Sequence, residues 1–220
     1  MKRGLDKGAQ SPVKSCQTGN RCMAKAAFGR GRIEAFSDGV IAIIVTIMVL
    51  ELHLPEGALE RDLWTQLVLP LAPKLIGYGL SFLVVAIMWV NHHALMDTVR
   101  RVDSAVLWLN LNLLFWMSLI PLVTGFWGDH PFDPPAVAAY GFVLFASAAA
   151  FTLFRRHLIV NETQSVELAA LHRRIMRKNL VGMGLYGASV PLTWVSPWIS
   201  IAIFAAVPAM FFLPDLKEAE

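Results

Sequence analysis

The sequence predicts an all-α integral membrane protein with six transmembrane helices per chain. Three observations predict it. Of the 220 residues, 56% are hydrophobic and only 16% are charged, against about 25% charged in an ordinary soluble domain. The apolar residues fall in blocks long enough to cross a bilayer core, which takes roughly 20 residues of helix. Barrel strands would instead show alternating segments of about 10 residues, and none occur. The basic residues gather in short segments before and between the apolar blocks, as cytoplasmic loops require.

The elements follow in order. Residues 1–30 form a basic tail rich in Gly, Ser, Lys and Arg, a composition expected to stay disordered. The tail lacks the apolar h-region of a cleavable signal peptide. Residues 31–214 hold the six helices, and 215–220 form a short C-terminal tail. The first span covers about 36–54 and stops at Pro55. The second covers about 71–96. The third, about 104–127, contains Pro121, which is expected to kink it late. The Pro-rich "GDHPFDPP" then turns outside the bilayer. The fourth span covers about 135–154 and is rich in Ala. A charged linker, 155–178, is expected to form a short cytosolic helix. The fifth and sixth spans, about 179–195 and 197–213, are separated by "VSP" and form a tight hairpin.

Six spans put both termini on one side. Eight Lys and Arg lie in 1–34, two at 100–101, six in 155–178, and Lys217 near the end. Arg61 and Lys74 alone fall on the other side. So uneven a split places both termini in the cytoplasm. It also explains the net charge of +3 without nucleic acid, which is not an expected partner.

Chemistry is scarce. Cys16 and Cys22 lack a second pair for zinc and read as free thiols in a reducing cytosol. "WVNHHALM" offers adjacent histidines, which point about 100° apart on a helix, whereas a shared metal prefers i, i+4 placement. No metal site and no cofactor is expected. "LIGYG" at 75–79 lacks the Thr-Val pair of a carbonyl selectivity filter and enters a continuous span, so Gly77, Tyr78 and Gly79 read as packing residues. No nucleophile elbow, zinc-protease helix or phosphate loop occurs, and no enzyme is predicted.

The first span, "EAFSDGVIAIIVTIMVLEL", carries the interest. With Ile43 set at zero and 100° per residue, Thr46, Ile47 and Leu50 lie within about 60° of it, with Gly39 and Phe36 on the same side. Asp38 falls about 140° away. One reading makes Ser37 or Asp38 a cap suited to the helix dipole. The other pairs an intramembrane carboxylate with polar partners. Topology brings Arg32, Ser37, Asp38, Trp89, His92 and Asn110 to one level near the cytoplasmic face, as a polar network across three helices.

These residues resemble the transmembrane protein 175 family, lysosomal potassium channels with prokaryotic relatives. Arg32 with "FSDG" and "AIIVT" is similar to the family's first helix. "SFLVVAIMWVNHHALM", with Trp89 and His92, is similar to its second, and "LNLNLLFWMSLIPLVT", with Asn110, to its third. The resemblance covers about 30–125 closely. It implies a potassium-preferring cation channel without a carbonyl filter. In such a homotetramer in a prokaryotic plasma membrane, the first helices line the pore. Ile43 matches the narrowest hydrophobic position, Ile47 and Leu50 further apolar layers, and Thr46 a threonine linked with selectivity. The implied partners are potassium ions, the lipid bilayer and further copies of the chain. A competing reading is a small proton- or cation-coupled secondary transporter using Asp38 and His92 as a relay. No span carries a central charge, and no internal repeat is evident, which weakens that reading.

Overall fold

The computed structural model describes residues 29–52, 69–99, 102–162 and 166–212. The described residues form seven α-helices and no strand. They are α1 (Arg30–Leu50), α2 (Leu69–Met96), α3 (Ser104–Ser118), α4 (Ile120–Asp129), α5 (Pro134–Glu162), α6 (Val166–Leu192) and α7 (Pro197–Phe212). Of the tail expected at 1–30, residues 1–28 lie outside the described residues and Arg30 instead opens α1; the tail expected at 215–220 also lies outside them. Four helical stretches are long and apolar enough to cross a bilayer: Arg30–Leu50, Leu71–Met96, Ser104–Asp129 and Pro134–Ile159. The segment Pro197–Phe211 is apolar but shorter.

The first span begins earlier than expected, at Arg30. The disturbance expected at Pro121 is present: the third span is interrupted at Leu119, two residues before the proline, into α3 and α4. Pro121 has no N–H to give the preceding turn, and its ring fits only the first turn of a helix, so α4 restarts around it. The charged linker 155–178 is not a separate helix. Residues 155–162 extend α5 and residues 166–178 open α6. Nothing in those residues breaks a helix, and Arg and Lys are good helix formers.

Helix α5 is the hub and packs against α3, α4, α6 and α7. Its small residues let neighbours come close, as membrane helices require without a hydrophobic drive between them. Gly141 shows this: an added Cβ would sit 2.6 Å from Ser189 Oγ and 3.3 Å from the Phe204 ring. Around it Trp127, Tyr140 and Phe204 stack, with Tyr140 and Trp127 centroids 4.7 Å apart. Ser81 Oγ bonds Thr124 Oγ1 at 2.7 Å and Tyr140 Oη at 2.9 Å, tying α2, α4 and α5.

The α6–α7 hairpin is held by the same economy of polar groups. At the turn 193–195 the Ser189 carbonyl accepts the backbone N–H of Thr193 at 3.1 Å and gathers two hydroxyls besides. Thr193 Oγ1 and Ser200 Oγ both donate to the Ser189 carbonyl, at 2.8 and 2.7 Å. Both hydroxyls are fully buried, and in an apolar surrounding each donor left bare would cost several kcal/mol. Helix α1 lies at the rim of the bundle and packs on α2, α3 and α4.

Replacing Gly141 by Val should lower stability by about 1–3 kcal/mol, because α5 cannot yield to both Ser189 and Phe204. Gly184→Ala is the matched control, since nothing lies within 4 Å of its added Cβ. Thermal unfolding of the two variants in detergent checks the contrast, with Gly184→Ala expected at or slightly above the parent.

The first helix and its polar anchor

Helix α1 buries Ile33, Ser37, Ile41, Ile44 and Met48 along one side. The opposite side stays open. Phe36, Ile43 and Leu50, spaced seven apart, are 54, 58 and 71% exposed. Ile47 and Thr46 are exposed beside them, as is Gly39, around which a Cβ would meet nothing within 4 Å. A seven-residue repeat with intervening positions three or four residues on is the geometry of a seam between helices. The Thr46 hydroxyl donates to the Ile43 carbonyl at 2.9 Å.

The buried side is fixed by two hydrogen-bonded groups at one depth. In the first, Ser37 is fully buried and its hydroxyl donates to the Ile33 carbonyl at 2.9 Å. Asn110 Nδ2 donates to Ser37 Oγ at 2.9 Å. The Asn110 carbonyl oxygen then accepts from His92 Nε2 at 2.8 Å. That chain joins α1, α3 and α2 through three fully buried polar side chains. The orientation of the Asn110 amide places the proton of His92 on Nε2. His92 rests against Phe154 of α5, with ring centroids 6.1 Å apart.

In the second group, Trp89 Nε1 donates to Asp38 Oδ1 at 2.9 Å. Asp38 is half-buried on the flank of α1. The Trp89 ring lies 6.1 Å from that of His93, whose Nδ1 is 3.2 Å from Glu34 Oε1. Glu34 also faces Arg30 at 3.7 Å, and Arg30 pairs with Asp97 at the end of α2. The N-terminal turns of α1 and the C-terminal turns of α2 are thus clipped by charge.

The expected network therefore divides. Ser37, Asn110 and His92 form one chain, and Asp38 and Trp89 form another bond on the neighbouring flank. Asp38 reaches α2 itself, while the link to α3 runs through Ser37. Arg32 sits exposed one turn before Phe36. Sequence reasoning missed Glu34, His93, Arg30 and Asp97. The signal was present in the i, i+4 spacing of Arg30 and Glu34. Among the described residues, no group of three His, Cys, Asp or Glu is placed to hold a metal ion.

The comparisons agree with this architecture. Residues 32–121 match the family described as endosomal/lysosomal potassium channel TMEM175. A Chryseobacterium protein named a potassium channel is 40% identical over 189 residues, covering 86% of this chain and 95% of that one. The crystal structure of a lysosomal potassium-selective channel TMEM175 homolog from Chamaesiphon minutus superposes with a TM-score of 0.73 at 30% identity. That match covers 83% of this chain and 95% of the other. The human endosomal/lysosomal proton channel TMEM175 is 25% identical over 191 residues, 83% of this chain but 34% of that longer protein. On its sequence and its fold, this chain belongs to the TMEM175 family.

Proposed function

We propose that the protein is a potassium-preferring cation channel of the prokaryotic plasma membrane, assembled as a homotetramer around the open face of α1. The observation that carries this reading is the one-sidedness of α1. Its polar residues are spent on α2 and α3, and Phe36, Gly39, Ile43, Thr46, Ile47 and Leu50 are left on the outside. Relatives named potassium channels support the choice of ion. The chain crosses the membrane six times in this reading, with α3 and α4 together making one crossing and both termini in the cytoplasm.

Four copies of α1 would bring four Ile43 side chains together. Aliphatic carbons offer an ion nothing to replace its hydration, so a narrow ring gates by dewetting and conducts only when wide enough to stay wet. Ile47 and Leu50 add further apolar layers toward the outer end. Thr46 has its proton committed to the Ile43 carbonyl. Its oxygen lone pairs remain, and they are the polar acceptor nearest the Ile43 ring on the open face. Partial dehydration costs less for the larger potassium ion than for sodium, which gives such a neck its preference.

A proton path remains the second reading because the mammalian relatives are named proton channels. The relay form of that reading requires Asp38 and His92 to communicate. Their bonds run to different partners, Trp89 for one and Asn110 for the other.

Purified protein in planar bilayers should give ohmic currents that reverse near the potassium potential. Saturable, voltage-insensitive uptake would instead make it a carrier. In the same recordings, Ile43→Asn should raise conductance and weaken discrimination against sodium, and Thr46→Ala should move the reversal potential toward zero. Unchanged conductance and selectivity in both variants would remove α1 from the pore. Asn110→Ala strands His92 Nε2 and removes one of the two bonds of Ser37, and should cost about 2 kcal/mol in thermal unfolding. Trp89→Phe, which removes one bond to a half-buried carboxylate, should cost about 1 kcal/mol.

A further inference from the structure

We propose that a narrow crevice among α2, α5, α6 and α7 is a binding site for an anionic phospholipid. One acyl chain would lie along the hollow beside the crevice and enter it, and the head group would lie at the basic end. The crevice itself is small, about 50 Å³, but it opens into a hollow of about 420 Å³, and the two together fall within the range of ligand sites. Its walls are apolar: Val84 and Met88 of α2, Phe151 of α5, Tyr186 of α6, and Val207 and Phe211 of α7. Through Ile87, Asn91 and Phe211 it continues into an open hollow edged by Ile175 and Lys178. The site is distinct from the open face of α1, and no residue of the polar anchor lines it.

Two buried donors, one in the wall and one packed against it, identify the occupant's chemistry. Asn179 lines the crevice, is 8% exposed, and its Nδ2 has no hydrogen-bond partner. Arg155 is 2% exposed, and its Nε is likewise unpartnered. Its guanidinium carbon lies 5.3 Å from the centre of the Phe151 ring, which is itself a wall of the crevice. A guanidinium in an apolar surrounding costs several kcal/mol unless an anion compensates it. The cation–π contact with Phe151 returns only a part of that. An unpaired amide donor adds its own desolvation penalty.

An acceptor-rich anion answers both needs, and an apolar slot behind it calls for a hydrocarbon chain. The surrounding bilayer supplies that combination. Phosphate and ester oxygens would accept from Asn179 and lie within the field of Arg155, with Lys178 at the rim. Anionic lipids are drawn to clustered Lys and Arg at the cytoplasmic surface, where the run from Arg173 to Lys178 stands.

The test uses the full-length protein in phosphatidylcholine vesicles carrying a minority of photoactivatable phosphatidylglycerol. A parallel preparation carries the same label on phosphatidylcholine. After irradiation, mass spectrometry should find the phosphatidylglycerol label in 179–186 and 207–211, about tenfold above the phosphatidylcholine control. Asn179→Leu should bring that yield down to the control. Its unfolding midpoint in lipid-free detergent should be unchanged or raised, because an unpaired donor has been removed. Met183→Trp, which fills the crevice, should abolish labelling there by both lipids. Equal labelling by the two lipids would overturn the proposal. So would a phosphatidylglycerol label placed elsewhere, labelling that survives Asn179→Leu or Met183→Trp, or a cross-link showing that a second copy of the chain covers the crevice.

Discussion

The hydrogen-bonded chain from Ser37 through Asn110 to His92 is the constraint on which the arrangement of α1 depends. It ties three helices at a single depth, and every atom in it is out of reach of water. In such a place, a bond is valuable chiefly because its absence is so costly. A rotation of α1 by one residue would turn Ser37 from Asn110 and draw Asp38 away from Trp89. The polar contacts therefore set the helix's rotation about its own axis, a property that apolar packing alone specifies weakly. The orientation of Ile43 and its neighbours follows from that choice.

The same use of a few polar side chains recurs away from α1. Ser81, Thr124 and Tyr140 join α2, α4 and α5. Ser189, Thr193 and Ser200 close the α6–α7 hairpin. Between these points the helices meet through small residues and aromatic edges, with α5 as the common partner. Lipid tails are as apolar as the side chains, so burial offers little reason for one pairing over another. Short hydroxyl bonds supply part of the missing specificity. They sit where the chain also carries Pro or Gly, as at Pro121, Gly141 and Pro191.

Much of this was legible in the sequence. The wheel of α1 separates Ile43, Thr46, Ile47 and Leu50 from Ser37 and Asp38 because helical periodicity is fixed by backbone geometry. Trp89, His92 and Asn110 were expected at the depth of Asp38 because topology and helix rise fix depth. Which polar atom bonds which was not legible. Whether Asp38 or Ser37 meets Asn110 turns on a single 100° step and on the tilt of α3. The continuity of α5 and α6 through the charged segment was hidden for another reason. Arg155 reads as a topology signal by its charge, and only packing shows that its side chain is buried against Phe151. The break at Leu119 was legible from Pro121, because a proline disturbs the turn before it.

That break has a mechanical meaning. The N-terminal half of α1 is gripped by α3, through Asn110 and Ser37. Its C-terminal end meets α4, where Gly125 comes so close that a Cβ would lie 2.9 Å from a Glu51 carboxylate oxygen. Two jaws therefore hold one rod, and Leu119 is the pin between them. If α3 and α4 were one straight helix, they could only carry α1 along as a rigid unit. With a joint in the middle, a few degrees of flexion at the pin becomes a twist or bend of the rod.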